Sequence, residues 1–464
     1  MELRAVGPNR YELVPQPGMR VRAVVYLGPG LPLPEEGALR QLAAAASLPG
    51  LAGPVVGMPD LHQGFGLPIG GVMACDAAEG LVSAGAVGMD INCGVRLLRT
   101  PLRREELGEE KLAELLAELT NRVPAGVGKA GRHREFGGPA LERVLRRGAA
   151  AVVAAGFGEA PDLEHAEEGG ALAGADPGAL SREARERGDQ LATLGGGNHF
   201  LEIGFVAEVY DPEAAEAFGL TPGGVTVLVH TGSRGMGHQV CTDYTRRFAA
   251  AGGAGGRNLA AVPIASAEGA AYLAAMAAAV NYAFANRQLL TWEVREAFRR
   301  VLGPGDLKVV YDVAHNIAKF EEHAGRRVLV HRKGATRALP PGHPGNPPAY
   351  RNTGHPALIP GSMGTASYVV VGTPAAAETY YSVNHGAGRV LSRHAARETL
   401  SEAAVRESLG RVRVAGRLGR LLDEAPAAYK DIALVVATLS DIGLTRQVAR
   451  ILPLAVLKGE GEEA

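Results

Sequence analysis

The sequence predicts an α+β protein built as one large unit over residues 1–464, with mixed sheets flanked by helices and an active site made of glycine-rich loops. Three observations carry this expectation. Strand-like apolar runs and helical patterns interleave along the whole chain, with no internal repeat and no clear linker. The segments bearing chemically active residues spread from residue 58 to residue 432, which favours one unit over separable modules. Glycine supplies 63 of 464 residues, about twice its usual share of ~7%. Those glycines sit between β-branched runs and beside His, Asp, Asn and Ser, where they permit tight turns and close backbone approach to a ligand. With 46% hydrophobic and 21% charged residues, the composition is globular and excludes wholesale disorder.

The elements follow in order. Residues 21–27 (VRAVVYL) read as a short strand, followed by a Gly-Pro-Gly turn and a helix over 34–46. From 55 to 100 glycine-rich loops alternate with short strands. Residues 107–122 form an amphipathic helix, 124–138 a loop, and 139–155 a helical stretch. Residues 156–178 read as an acidic Gly/Ala-rich loop. Strand-like runs follow at 199–206, 225–230 and 307–311. Between the last two, Ser266 is placed to N-cap a long alanine-rich helix reaching about Leu302, with Gly303-Pro304 as its stop. Further strands are expected at 327–331 and 367–371. The tail from 390 reads as mostly helical and ends in the polar GEGEEA.

Charge and cysteine content narrow the function. With 48 Lys and Arg against 49 Asp and Glu, net charge is −1, which argues against coating nucleic acid by global basicity. A local basic groove stays open, because binding follows clustered charge. Three scattered cysteines (Cys75, Cys93, Cys241) make no disulfide scaffold, so a reducing, cytoplasmic setting is expected. The N-terminal MELRAVGPNRYELVPQPGMR lacks an apolar signal core, and no apolar run approaches the ~18 residues of a membrane span. Residues 126–131 (GVGKAG) fit G-x-G-x-x-G but follow a helix, so the dinucleotide-binding context is missing. There is no P-loop and no H-E-x-x-H, and Gly232-Ser233 and Gly361-Ser362 both miss G-x-S-x-G.

Two constellations carry chemistry. His199 (LGGGNHFLEIG), His230 (VTVLVHTGSRG) and His315 (VVYDVAHNIAKF) each sit at or beside an apolar run, and Asp90 and Cys93 share the turn VGMDINCGVR. Imidazoles, a carboxylate and a thiolate make a transition-metal ligand set; its softness suggests zinc first and leaves manganese open. Any one of these histidines alone reads equally as a hydrogen-bonded residue at a strand end. The second constellation is SVNHGAGRVLSR, residues 382–393. Small residues at Gly386, Ala387 and Gly388 let backbone N–H groups approach phosphate oxygens, and Arg389 can neutralise them. His385 there can act as general base or attack phosphorus itself; a plain turn with a surface histidine is the competing reading. Residues 358–372 (LIPGSMGTASYVVVG) add the Ser362 and Ser367 hydroxyls. Lys430 offers a cation for a base edge or a phosphate, where an isolated lysine is more often only solvated.

With MPDLHQGFGLPIGG, HTGSRGMGHQV, YDVAHN and HRKGATRA added, these motifs resemble, in order and over essentially the full chain, the tRNA-splicing RNA ligase family RtcB. The resemblance implies GTP-dependent and Mn2+-dependent joining of RNA 2′,3′-cyclic phosphate or 3′-phosphate ends to 5′-hydroxyl ends. It implies a histidine–GMP intermediate, an activated RNA-3′-pp-5′-G end, and tRNA halves as substrates. Carried over, Asp90, Cys93, His199, His230 and His315 resemble the ligands of two Mn2+ ions, with Cys93 bridging, and His385 matches the histidine that accepts GMP. The nucleotide is then expected at Asn198, Glu202, His315, Asn316, Pro360, Gly361, Ser362, Met363, Ser367, Gly386, Ala387, Gly388, Arg389 and Lys430. Arg234, Arg337, Arg389 and Arg393 are candidate phosphate contacts. An archease-type activator is a further partner the family admits. The sequence departs from the family pattern at Asn384, where a small residue or Cys is expected, and the acidic stretch 159–190 has no counterpart. Two other classes stay open: a metal-dependent phosphoesterase that only hydrolyses cyclic phosphates, and a non-catalytic RNA-binding protein of the same fold.

Overall fold

Two large sheets organise the chain in the computed structural model, which describes residues 1–461 and leaves the last three residues of GEGEEA outside the described residues. The first sheet has seven strands in the order Leu3–Gly7, Arg10–Leu13, Ala23–Tyr26, Val55–His62, Ile69–Asp76, Arg326–Lys333 and Asn316–His323. The second runs Lys308–Ala314, Gly94–Arg103, Gly224–Thr231, Phe200–Val209, Thr445–Lys458, Ser367–Gly372 and Ala357–Ile359. Arg413–Ala415 joins it in parallel beside Thr445–Lys458. Both sheets are mixed, since Ala23–Tyr26 also pairs in parallel with Val55–His62. Strands far apart in sequence are neighbours in space, as an α+β fold requires.

The helix Ala267–Leu302 is 36 residues long, about 54 Å. Ser266 caps it by accepting a 3.0 Å hydrogen bond from the Gly269 N–H, and Gly303, at φ +87°, ends it. Alanines let neighbouring elements approach on nearly all sides, so its central turns are buried around the whole circumference. Asn281, Asn286, Arg287 and Gln288 are buried with them, as polar ties from the helix to the surrounding loops.

Three expectations change. The helical stretch 139–155 is two helices, Pro139–Arg147 and Ala149–Ala154. Gly148 breaks them: its φ is +56°, and a Cβ there would stand 2.2 Å from the Gly170 carbonyl oxygen. The acidic loop 156–178 contains the short helix Ala160–Glu164, the 3-10 turn Glu167–Gly170 and the start of a second at Pro177–Ala179. The tail from 390 does carry helices Arg393–Thr399, Glu402–Leu409 and Ile432–Ser440, but it finishes as the 14-residue strand Thr445–Lys458. That strand lies inside the second sheet; only Ala455–Lys458 are buried on both faces, and its sequence, TRQVARILPLAVLK, mixes Arg450 and Pro453 into an apolar run and shows no regular alternation. Pro453 further disguises it, sitting at a register shift against Phe200–Val209 where a strand tolerates proline. Among the described residues no helix is long and apolar enough to cross a membrane.

Candidate active site

Four adjacent strands of the second sheet bring their chemistry to one end. Cys93 immediately precedes Gly94–Arg103, His199 immediately precedes Phe200–Val209, His230 lies near the end of Gly224–Thr231, and His315 immediately follows Lys308–Ala314. The antiparallel register places Val95 and Phe200 opposite His230, and Ala314 opposite Gly94. Cys93 Sγ is 3.3 Å from His199 Nε2 and 3.4 Å from His230 Nε2, while His230 Nε2 is 3.3 Å from His315 Nε2. Asp90 joins through Oδ2, 2.8 Å from His199 Nε2. The ligand atoms thus form two groups, Cys93–His230–His315 and Asp90–Cys93–His199, each within 4.8 Å, with Cys93 in both.

The electrostatics fit cations. Burial, aided by neighbouring imidazoles, pushes His230 and His315 well below the usual histidine range, which leaves neutral rings with lone pairs to offer. Their Nδ1 atoms are buried without hydrogen-bond partners. Burial and the Asp90 carboxylate push the Cys93 thiol up to about 12; a cation at this point would reverse that shift and favour the thiolate. These residues could hold two metal ions sharing one sulfur.

The long helix holds this corner together. Arg287 donates to the Asn92 carbonyl (2.8 Å), to Asn92 Oδ1 (3.1 Å), to the Thr231 carbonyl (2.9 Å) and to Asp312 Oδ1 (2.8 Å). One guanidinium therefore touches the residue before Cys93, the residue after His230 and the strand leading to His315. Arg96 Nε donates to Asp312 Oδ2 at 2.8 Å, so the Asp312 carboxylate lies between two arginines, all three fully buried. Asn286 donates to the Thr193 and Gly232 carbonyls. Asn92 itself takes φ +53° to make the turn.

The first sheet and a separate two-stranded sheet of Ala335–Arg337 and Ser382–Asn384, after which His385 follows, supply the other half. Asp60, in Val55–His62, accepts from His385 Nδ1 at 2.7 Å and from the His385 backbone N–H at 3.0 Å. That fixes the ring with Nδ1 carrying its proton toward Asp60 and leaves the lone pair on Nε2. Gly388 makes the clamp possible: φ is +75°, and a Cβ there would lie 2.2 Å from the Asp60 carbonyl oxygen. His385 and His315 are neighbours, with ring centroids 4.8 Å apart.

Both halves open onto a pocket of about 380 Å³ lined by His230, His385, Asn198, Pro360, Gly361, Ser362, Met363, Gly386, Ala387, Gly388 and Arg389. Other expected residues stand behind it. Asn316 braces the Asp90–Cys93 turn, donating to the Asp90 carbonyl at 3.1 Å and accepting from the Gly334 N–H at 2.8 Å. Ser367 Oγ accepts from the Gly361 N–H at 3.1 Å. Glu202 lies two residues beyond Phe200 on the same face of its strand, fully buried, and burial lifts its carboxyl to about 8 despite the nearby Ser367 hydroxyl.

Lys430 is not among the pocket's lining residues: its ammonium donates to the Pro59 and Leu61 carbonyls on either side of Asp60, and burial lowers it to about 8. The lining lysine is Lys458, hidden in the strand mistaken for helix. Arg389 lines the pocket but bonds the Leu391 and Asp423 carbonyls and the Tyr429 hydroxyl, while Arg393 pairs with Asp423 and Glu424. Arg337 pairs with Glu167 and Glu168, giving the acidic stretch a structural task. Arg234, at φ +57°, donates to His199 Nδ1 at 3.1 Å. Asp60, His62, Phe200, Glu424, Tyr429 and Lys458 were missed. Asp60 and His62 stood in a quoted motif, whereas Glu424 carries no local signal and acquires its role only beside Arg389, Arg393 and Lys458.

Comparisons with known proteins agree with the motifs. A family model described as tRNA-splicing ligase RtcB matches residues 41–459. The tRNA-splicing ligase RtcB of Thermococcus kodakarensis is 49% identical over 461 residues, covering 95% of each chain. That of Archaeoglobus fulgidus is 48% identical over 478 residues, covering 98% of this chain and 99% of its own. The RNA-splicing ligase RtcB of Mycobacterium tuberculosis is 49% identical over 437 residues, covering 90% of this chain and 100% of its own. With nine-tenths of its length matched at nearly half identity, the chain belongs to the tRNA-splicing ligase RtcB family.

Proposed function

We propose that the chain is a GTP-dependent and manganese-dependent RNA ligase that joins 2′,3′-cyclic phosphate or 3′-phosphate ends to 5′-hydroxyl ends, with tRNA halves as its substrates, residues 1–464 working as one unit. The observation that carries the reading is the Asp60–His385 pair, which opens onto the same pocket as His230 of the Cys93 corner. Asp90, Cys93, His199, His230 and His315 would hold two manganese ions, which when bound supply positive charge against phosphate oxygens.

His385 Nε2 attacks the α-phosphorus of GTP and pyrophosphate leaves. Asp60 keeps the proton on Nδ1 and stabilises the charge that the ring acquires as the N–P bond forms. Gly386 and Gly388 flank Ala387 in a turn whose backbone can approach the phosphates. Phe200 and Tyr429 line the pocket and offer aromatic faces to the base, with Glu202 and Ser367 behind them as hydrogen-bonding groups. A 2′,3′-cyclic end is first opened by water, which breaks the P–O2′ bond and leaves a 2′-hydroxyl and a 3′-phosphate; a terminal oxygen of that 3′-phosphate then takes GMP from His385, breaking the N–P bond and restoring the neutral ring. Attack by the 5′-hydroxyl on the activated RNA phosphate expels GMP and leaves a phosphodiester.

The test mixes an RNA ending in a 2′,3′-cyclic phosphate with an RNA starting in a 5′-hydroxyl, with and without GTP and manganese. A joined product that requires both supports the reading. Opening of the cyclic phosphate without joining would make the protein a phosphoesterase, and binding with neither would make it a non-catalytic RNA binder.

A further inference from the structure

Beyond the catalytic pocket, two larger cavities, of about 830 and 1040 Å³, share Thr120, Ala415, Gly416, Gly419 and Arg420 in their linings and so form one groove. The inner cavity shares Lys458 with the catalytic pocket. From there the groove follows Arg413–Ala415 outward between the helices Glu109–Arg122 and Glu402–Leu409.

The groove's charge contrasts with that of the chain. Arg406, Arg413, Arg417 and Arg420 line the outer part, and Lys129, Arg397 and Lys458 join Arg420 in the inner part. Glu402 and Glu460 are the carboxylates among the described lining residues, and Glu109, Asp423 and Glu424 pair with Arg413, Arg397 and Lys458 from behind it, so the lining itself presents seven cations and two anions in a molecule of net charge −1. Three of the four outer arginines sit in solvent-accessible ion pairs: Arg406 with Glu402 at 2.9 Å, Arg413 with Glu109 at 2.6 Å and Arg420 with Glu460 at 2.7 Å. Such pairs hold weakly, and their guanidinium groups can exchange a carboxylate for a phosphate. No aromatic side chain is among the lining residues, so the groove offers charge without a platform on which bases stack.

We propose that this groove is the track along which single-stranded RNA reaches the catalytic pocket, gripped by its phosphates with no preference for sequence. The choice of RNA as occupant rests on the ligase reading above; the grip itself rests on the charge and on Lys458, which lines both the inner cavity and the catalytic pocket. Contacts to phosphate release counterions, so affinity must fall with salt by a slope of about 0.7 per contact for a single strand.

The experiment measures binding of a short unstructured RNA, and of a second RNA of unrelated sequence, to the full chain without GTP across a range of salt concentrations. For the Arg413→Ala/Arg417→Ala/Arg420→Ala variant we expect affinity at least tenfold lower and a salt slope smaller by about 2, equally for both sequences. The Arg413→Lys/Arg417→Lys/Arg420→Lys variant keeps the charges and should retain the wild-type slope, which shows that a loss in the alanine variant is electrostatic and not misfolding. Unchanged affinity and slope in the alanine variant would overturn the track and leave the groove to an acidic protein surface. Equal loss in the lysine variant would overturn the electrostatic grip. Because the readout needs no nucleotide, a wild-type chain that binds RNA this way but never carries GMP would refute the ligase chemistry while upholding the groove.

Discussion

Asp60 bonds both the ring and the backbone of His385, so one carboxylate sets the tautomer and the position of the imidazole together. Asp60→Asn keeps the shape but can present its amide to Nδ1 and invert the tautomer. Guanylylation should slow by about 10²-fold or more while the fold survives, as single-turnover GMP incorporation and circular dichroism would show. Glu202 makes a separate prediction. Its carboxyl titrates near 8 when folded, against 4.5 when free, so the folded state holds a proton that the unfolded state releases between those values. Its stabilising contribution is full below about 4.5 and is lost as pH rises toward 8. Urea unfolding of Glu202→Gln should therefore show a flatter pH dependence than wild type over that window and a relative gain in stability at its upper end. At this scale the five ligand-type residues and His385 stood out in the sequence because a strand end or a nearby glycine marks each of them. Asp60 was not, because its partner lies 325 residues away. Lys430 attracted attention that belongs to Lys458, since nothing local distinguishes a lysine bonded to carbonyls from one lining a pocket.

Among the elements, the helix Ala267–Leu302 matters most, because Arg287 gathers the turn before Cys93, the strand end after His230 and Asp312. Arg287→Met removes one partner of a fully buried ionic cluster and leaves Asp312 with Arg96 alone. A loss of about 3–5 kcal/mol is expected, visible as a lower Tm and as reduced metal content in the folded fraction. The bounds of this helix could be read directly, since Ser266 and Gly303 are strong signals set against a helix-forming interior. The strand Thr445–Lys458 could not: buried on both faces only at its C-terminal end and interrupted by Arg450 and Pro453, it shows no two-residue period in sequence. The same lack hid the lysine of the pocket.

Across the whole molecule, the site draws Asp60 and His385 from the first sheet's side and Cys93, His199, His230 and His315 from the second, so the pocket exists only when both sheets are in place. Cation binding should therefore stabilise the entire fold: removing metal from the wild-type chain should lower its Tm, and manganese should restore it. Cys93→Ala should lose both ions by elemental analysis, whereas His230→Ala should lose chiefly one, since Cys93 belongs to both groups and His230 to one. The family, the mixed fold and the metal corner were readable in the sequence because they rest on contiguous motifs. The basic groove was anticipated only as a possibility of charge clustering, because its walls come from residues 113–129 and 397–461. The most direct measurement of the central claim is mass spectrometry of the full chain after incubation with manganese and GTP labelled at the α-phosphate. One acid-labile, base-stable GMP per chain, mapping to His385 and absent from a metal-replete His385→Ala variant, is the predicted result. An adduct that persists in that variant, or that maps to Lys458 or Lys430, would contradict it.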